Sequence, residues 1–438
     1  MIPPLALTFY GDDFTGSTDV MEVLTWAGLE TVLFVKPPDD ERLARFPNAR
    51  AIGLAGESRG RSPEWMDAHL PALLGRLGEL GAPLCHYKVC STFDSAPEVG
   101  SIGRALEIGQ DVFETPWVPI VVGAPKLSRY QTFGNLFATV GDETYRLDRH
   151  PTMSRHPVTP MHEADLRRHL AAQTDRKIGL VDILALQQGR GGARLVGEVA
   201  DGAQGVLFDV LDERSLVEVG RLVWESRPSE RAYSVSSSGL QYALAAYWRS
   251  IGDLGPDTRD SCVGAETERL VAVSGSGSPE TAASIRTAIE DGYADIRLDA
   301  AAVAKGETAG AVEAALAAID RGANPALYTA LGPDDPAFAG GDANFRQRLG
   351  AGLGTILREV LERSGVRRAV VCGGDTSSSV GQELGIYALT AIAPLAPGSP
   401  LCRAWADGPA DGLEIVLKGG QRGGPHFFEE VRRGRCET

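Results

Sequence analysis

Several signatures are missing from this chain, and each absence removes a class of function. There is no G-x-x-x-x-G-K-[ST] and no G-x-G-x-x-G, so neither a P-loop nor a dinucleotide fingerprint is present. Cysteine is sparse. Cys85, Cys90, Cys262, Cys372, Cys402 and Cys436 are scattered without a C-x-x-C pair, which argues against a zinc ribbon or a disulfide framework and for reduced thiols. Positive charge is the minority sign, 43 Lys and Arg against 58 Asp and Glu, for a formal net charge of -15. With no basic patch of the kind that a phosphate backbone requires, no nucleic acid partner is expected, and the ligand should be a small molecule. No apolar run approaches the roughly 20 residues that span a bilayer, and "MIPPLALTFYGDD" lacks the basic start and long apolar core of a secretory signal. A cytoplasmic protein with no membrane partner is the expectation. His150, His156, His162 and His169 crowd one window, but no spacing there sets two ligands on one helical face, so hydrogen-bonded or solvated roles are expected and no metal site is assigned.

What is present is rhythm. The 438 residues suit two packed domains, and strand-like and helix-like stretches alternate from the start. "LALTFY" reads as a buried strand, "STDVMEVLTWA" as a helix with Val20, Val23, Leu24 and Ala27 on one face and Gly28 as its stop, and "ETVLFV" as the next strand. "RAIGLA", "LCHYKV", "PIVVGA", "IGLVDI" and "GVLFDV" continue the series. "GDLGPDTRDSCVGAETE", residues 252–268, has almost no apolar periodicity and reads as a linker. The expected fold class is therefore α/β, two α/β domains with largely parallel sheets, spanning residues 1–252 and 268–438. The alanine-rich stretch 300–318 reads as a helix-forming surface segment.

Three glycine-rich loops in the second half each follow an expected strand: "AVSGSGSPETAASI", "AVVCGGDTSSSVGQELGI" and "VLKGGQRGGPHFF". In the first, Ser278 is a natural N-cap and Pro279 fits the first helical position. Main-chain N–H groups in such turns, with the helix dipole behind them, suit a phosphate, and ligands of open parallel sheets bind outside the carboxyl ends of the strands. A nucleotide-binding domain is expected, with His426, Phe427 and Phe428 as C-terminal core and its edge.

At the other end, "LTFYGDDFTGSTDV" sets Asp12 beside Asp13, where each raises the cost of ionising the other. A cation or polar ligand should meet them, although Asp13 also suits the N-cap of a helix beginning near Thr15.

Taken in order, "YGDDFTGSTDV", "SGSGSPET", "GGDTSSSVGQELGI" and "LKGGQRGGPHFFEEV", with "APKLSRYQTFGNLF", "HPVTPMHEADL" and "VSSSGLQYAL" between them, resemble the hallmarks of the four-carbon acid sugar kinase family over nearly the whole chain. The resemblance implies a kinase with an N-terminal domain for the sugar acid, a C-terminal domain for ATP, an active site in the interdomain cleft, and Mg2+ on the phosphates. It implies a threonate-like, 3-oxo-tetronate or branched acid as substrate. By position it sets substrate contacts on Asp12, on Arg59 and on Lys88, Val89, Cys90 and Ser91. Nucleotide contacts fall on Ser274, on Gly373, Gly374, Asp375 and Thr376, and on Gly420. In this reading Asp12 and Asp13 are catalytic, one holding substrate hydroxyls and the other accepting the proton or lying near Mg2+. Arg59 and Lys88 are carboxylate anchors, against the plainer view of Arg59 as surface charge beside Arg61.

Two departures stand out. Cys90 replaces the Asp of a K-I-D-S-T pattern, with Asp94 available as a substitute acceptor, and Asp375 replaces a commoner Glu. The "KVCSTFDS" variant resembles the branch that includes 3-oxo-isoapionate kinases. A non-catalytic regulator that binds both ligands, or an NAD-dependent oxidoreductase, are the alternatives, and a homodimer is left open.

Overall fold

The computed structural model describes residues 1–436 apart from 228 and 337–342. The chain divides into two compact units, residues 1–32 with 39–257, and residues 33–38 with 258 onward. In chain order the strands of the first are β1 (Leu7–Gly11), β2 (Thr31–Phe34, whose last two residues belong to the second unit), β3 (Ala51–Ala55), β4 (Leu84–Lys88), β5 (Val118–Val121), β6 (Arg129–Thr132), β7 (Asn135–Val140), β8 (Glu143–Arg146), β9 (Ile178–Val181), β10 (Gly205–Phe208) and β11 (Ala232–Ser236).

Its main sheet runs β11-β4-β1-β3-β2. β1, β4 and β11 are buried at every position, with Thr8, His86, Lys88, Ser234 and Ser236 buried among their apolar residues. The register sets Gly11 opposite Ala55 and Lys88, and Ser236 opposite Lys88, so the segments after these strands all leave the sheet at one edge. The helix Phe14–Trp26 follows β1 and stops where Gly28 adopts φ +96. Three further parallel strands form the sheet β5-β10-β9. The hairpins of β6, β7 and β8 are antiparallel and were not foreseen in the sequence.

The second unit contains β12 (Val271–Ser274), β13 (Ala294–Arg297), β14 (Pro325–Tyr328), β15 (Arg368–Cys372), β16 (Ile386–Ala396), β17 (Ser399–Ala406) and β18 (Glu414–Lys418), in the order β16-β17-β18-β15-β12-β14-β13. From β18 to β13 the strands are parallel, and Cys372 faces both Lys418 and Ser274 across the ladder. The three glycine-rich loops thus leave adjacent strands at one edge. β16 and β17 form a long antiparallel hairpin, turned through Pro397 and Gly398 at φ +72, that departs from the largely parallel expectation. Leu270, Ile285, Val370, Val416, Phe427 and Phe428 share one core. The alanine-rich stretch is two helices, Ala300–Ala304 and Ala309–Asp320, broken where Gly306 takes φ +88. Within 252–268 the described structure is one short turn of 3-10 helix, Arg259–Ser261.

All six cysteines are free thiols. His150 accepts from the backbone N–H of Thr152 and Met153, and His156 from that of Thr159. No helix among the described residues is long and apolar enough to cross a membrane.

Candidate active site

The cation that meets the paired acids is Arg59. Asp12 leaves β1 with its N–H donating to the Lys88 carbonyl at 3.0 Å, and Asp13, extended at φ -143 and ψ 166, caps the following helix by accepting from the Gly16 N–H at 2.7 Å. The Ser58–Gly60 turn after β3 brings Arg59 back, its N–H bonded to the Asp12 carbonyl at 3.0 Å. Its guanidinium donates from Nε and Nη2 to Asp12 at 3.1 and 2.7 Å, and from Nη1 and Nη2 to Asp13 at 2.7 and 2.8 Å. A planar fork can serve two carboxylates in this way where an ammonium cannot. Asp13 therefore both caps the helix and shares the cation.

The side chain of Asp12 is 4% exposed, against 29% for Asp13 and 26% for Arg59. Burial pushes the Asp12 carboxyl above the usual range, with Asp13 adding to the rise and Arg59 opposing it. For Arg59, burial works against the cation, but Asp12, Cys90 and Asp13 outweigh it and hold the pKa well above its ordinary value.

Lys88 is buried at the end of β4, with Nζ 3.6 Å from Asp19 Oδ2. Gly16 explains the glycine of the D-D-F-T-G run: a Cβ there would lie 2.5 Å from Asp13 Oδ1 and 3.0 Å from Lys88 Nζ. Val89 is fully buried, and its N–H is taken by the Ser236 carbonyl at 2.8 Å, so it offers a ligand neither a polar side chain nor an amide donor. Cys90 and Ser91, both partly buried, open a turn closed by Phe93 N–H to the Cys90 carbonyl at 3.0 Å. Burial pushes the Cys90 thiol up, Asp94 adds to this, and Arg59 opposes it.

In the second unit the three glycine loops interlock. The Gly275 N–H bonds the Cys372 carbonyl at 3.2 Å, and the Gly373 N–H bonds that of Lys418 at 2.9 Å. A Cβ on Gly275 would come within 2.5 Å of Thr376 Oγ1, and one on Gly420 within 2.8 Å of Ser276 Oγ. Gly373 takes φ +113 at the N-cap of the helix Gly374–Glu383, a conformation that side chains resist. Side chains larger than hydrogen would fill this cradle, and the start of that helix adds main-chain donors, so the loops fit a phosphate group. Ser274 is buried, its hydroxyl accepting from the Ser276 N–H at 3.2 Å, whereas Asp375 has an 81% exposed side chain 3.5 Å from Arg346.

The sequence reading missed what fastens the third loop. Ser278 and Thr281 both donate to the Gly420 carbonyl, Thr281 at 2.8 Å, and Ser284 donates to that of Gly424 at 2.8 Å. Fully buried Lys418 donates to Thr281 Oγ1 at 3.0 Å and to the Arg422 carbonyl at 2.5 Å. Hydroxyls at every third residue of "SPETAAS" were the available signal. Among the described residues no group of three or more His, Cys, Asp or Glu is arranged to hold a metal ion.

A family model for a sugar-binding N-terminal domain matches residues 7–244, and one for a nucleotide-binding C-terminal domain matches residues 271–428. The chain is also 52% identical to a protein of Paraburkholderia graminis named 3-oxo-isoapionate kinase, over 98% of this chain and 95% of that one. The chain belongs to the four-carbon acid sugar kinase family. Other relatives in this kinase family are 3-oxo-tetronate kinases, from Cupriavidus necator at 31% identity (96% and 95% of the two chains) and from Methylobacterium radiotolerans at 32% (97% and 98%). Among solved structures, a Haemophilus influenzae protein superposes with a TM-score of 0.77 at 25% identity, covering 97% of this chain and 99% of its own. A Salmonella typhimurium protein described as a putative tRNA synthase shares the fold with a TM-score of 0.79 at 24% identity, covering 98% and 99%.

Proposed function

We propose that this protein is an ATP-dependent kinase that phosphorylates a hydroxyl of a small sugar acid, a branched five-carbon 3-oxo acid in preference to a four-carbon one. The observation that carries the reading is the 52% identity, over almost the full length of both chains, to a 3-oxo-isoapionate kinase. Kinase names among the further relatives favour turnover over a binding-only regulator and over a dehydrogenase.

Phosphoryl transfer requires an aligned hydroxyl, a proton acceptor and donors around the phosphates. Asp12 is the proton acceptor in this reading, because burial raises the basicity of its carboxylate while Arg59 opposes that rise. Asp13, more exposed, holds the substrate hydroxyl. Arg59 is already committed to both acids, so it orients them, and the substrate carboxylate falls to the Lys88 ammonium and the N–H groups after β4. Ser276, Thr376 and the first N–H groups of Gly374–Glu383 receive the nucleotide phosphates. Magnesium needs few protein ligands when it travels on phosphates, and it supplies charge neutralisation there.

Thermal denaturation with ATP and with NAD tests the nucleotide assignment. A rise in Tm with ATP alone is expected. A rise with NAD alone would return the protein to the oxidoreductases.

A further inference from the structure

We infer that Asp94, held in place through Thr92 by the Cys90 thiol, is the residue that selects which acid this protein accepts. The inference rests on the kinase reading above.

The three side chains form one directed chain of hydrogen bonds in the loop after β4. Thr92 has a single hydroxyl proton, and it goes to Asp94 Oδ1 at 2.7 Å. The 3.0 Å contact between Thr92 Oγ1 and Cys90 Sγ then requires the thiol to be the donor. Burial supports this by keeping the thiol protonated. A carboxylate at position 90 has no proton to give. It would compete with Asp94 for the one Thr92 proton, and it would add a third negative charge beside a guanidinium that already serves Asp12 and Asp13. Cys90 thus leaves Arg59 to the catalytic pair and moves the free acceptor of this loop four residues on, to Asp94.

The backing of the loop is rigid. Phe93 is fully buried in the left-handed region at φ +57. Ser95 donates to the Phe93 carbonyl at 3.1 Å and meets His169 Nε2 at 2.9 Å, with Gln173 donating to Ser95 at 2.9 Å. Asp94 itself is only partly buried, one of its oxygens fixed by Thr92. A fixed, partly exposed carboxylate in the loop after β4, the strand paired with the one that leads into Asp12 and Asp13, accepts from a hydroxyl that a four-carbon acid does not carry, the one on the branch of a five-carbon acid.

The test compares kcat/KM for a branched five-carbon 3-oxo acid and its unbranched four-carbon counterpart, with saturating ATP and Mg2+, in wild type, Asp94→Asn, Cys90→Ser and Cys90→Asp. Wild type is expected to prefer the branched acid. Asp94→Asn should lower that preference roughly ten- to hundredfold, the effect of one hydrogen bond to a charged group, with KM for ATP unchanged. Cys90→Ser, which keeps a donor at 90, should retain the wild-type ratio, and Cys90→Asp should collapse it. If Asp94→Asn does not fold, Thr92→Val, which cuts the link but keeps the carboxylate, should lower the ratio in the same direction. Equal losses on both acids, or a ratio in Cys90→Ser as low as in Cys90→Asp, would overturn the inference while leaving the kinase standing. A wild type that phosphorylates neither acid would overturn the kinase reading itself.

Discussion

Arg59 grips Asp12 at two points, Nε at 3.1 Å and Nη2 at 2.7 Å, and Asp12 is the more buried of the adjacent acids. Removing the cation strands a buried carboxylate, so Arg59→Ala should cost about 3 to 5 kcal/mol in urea unfolding. Arg59→Lys keeps the charge but loses the fork, and should recover only part of this. Equal stability of Arg59→Ala and wild type would show that the pair does not hold the acids.

Asp13 has two tasks that substitution can separate. Asparagine caps a helix as well as aspartate does, so Asp13→Asn keeps the bond from Gly16 and loses the charge, whereas Asp13→Ala loses both. Asp13→Ala should be the less stable of the two by about 1 kcal/mol. Both should lose roughly a hundredfold or more in kcat/KM if the charge, not the cap, serves the reaction.

Lys418 is a positioning residue for the third glycine loop. Lys418→Met removes the donors to Thr281 and to the Arg422 carbonyl, and the loop that carries Gly420 should loosen. KM for ATP should rise roughly tenfold while KM for the acid holds. A rise in both alike would assign Lys418 to general stability instead.

A buried histidine, His86, and a half-buried one, His169, set an acid limit. Burial holds His86 down to about 3 and His169 down to about 4, below the ordinary 6.5. A depressed histidine pKa gives stability that is complete above 6.5 and is lost as pH falls towards the folded value. Tm should therefore decline from pH 6.5 towards pH 4, and less steeply in His169→Gln. A flat profile across that window would contradict the shielding of the two rings from water.

Much of the fold is legible in the sequence alone. Short apolar runs such as "AVVC" announce parallel strands buried on both faces, and the glycines behind three strands of the second half mark loops that leave the sheet at one edge. The hairpin of β16 and β17 was not legible, because its mixed burial breaks the simple alternation that marks a half-exposed strand. Nor was the partner of Asp12 and Asp13: the pair demands a cation, but only the fold returns Arg59 from 46 and 47 residues away. In sequence Lys418 is no more than the residue before the glycines of the third loop. It is turned inward because Thr281 and the Arg422 carbonyl satisfy it there.

The most direct test is mass spectrometry of the acid after incubation of the purified protein with ATP, Mg2+ and the branched five-carbon 3-oxo acid. One phosphoryl group should appear on the acid for each ADP formed, and Asp12→Asn should abolish both. An acid recovered unmodified, or ADP formed at the same rate without it, would contradict phosphoryl transfer to a sugar acid.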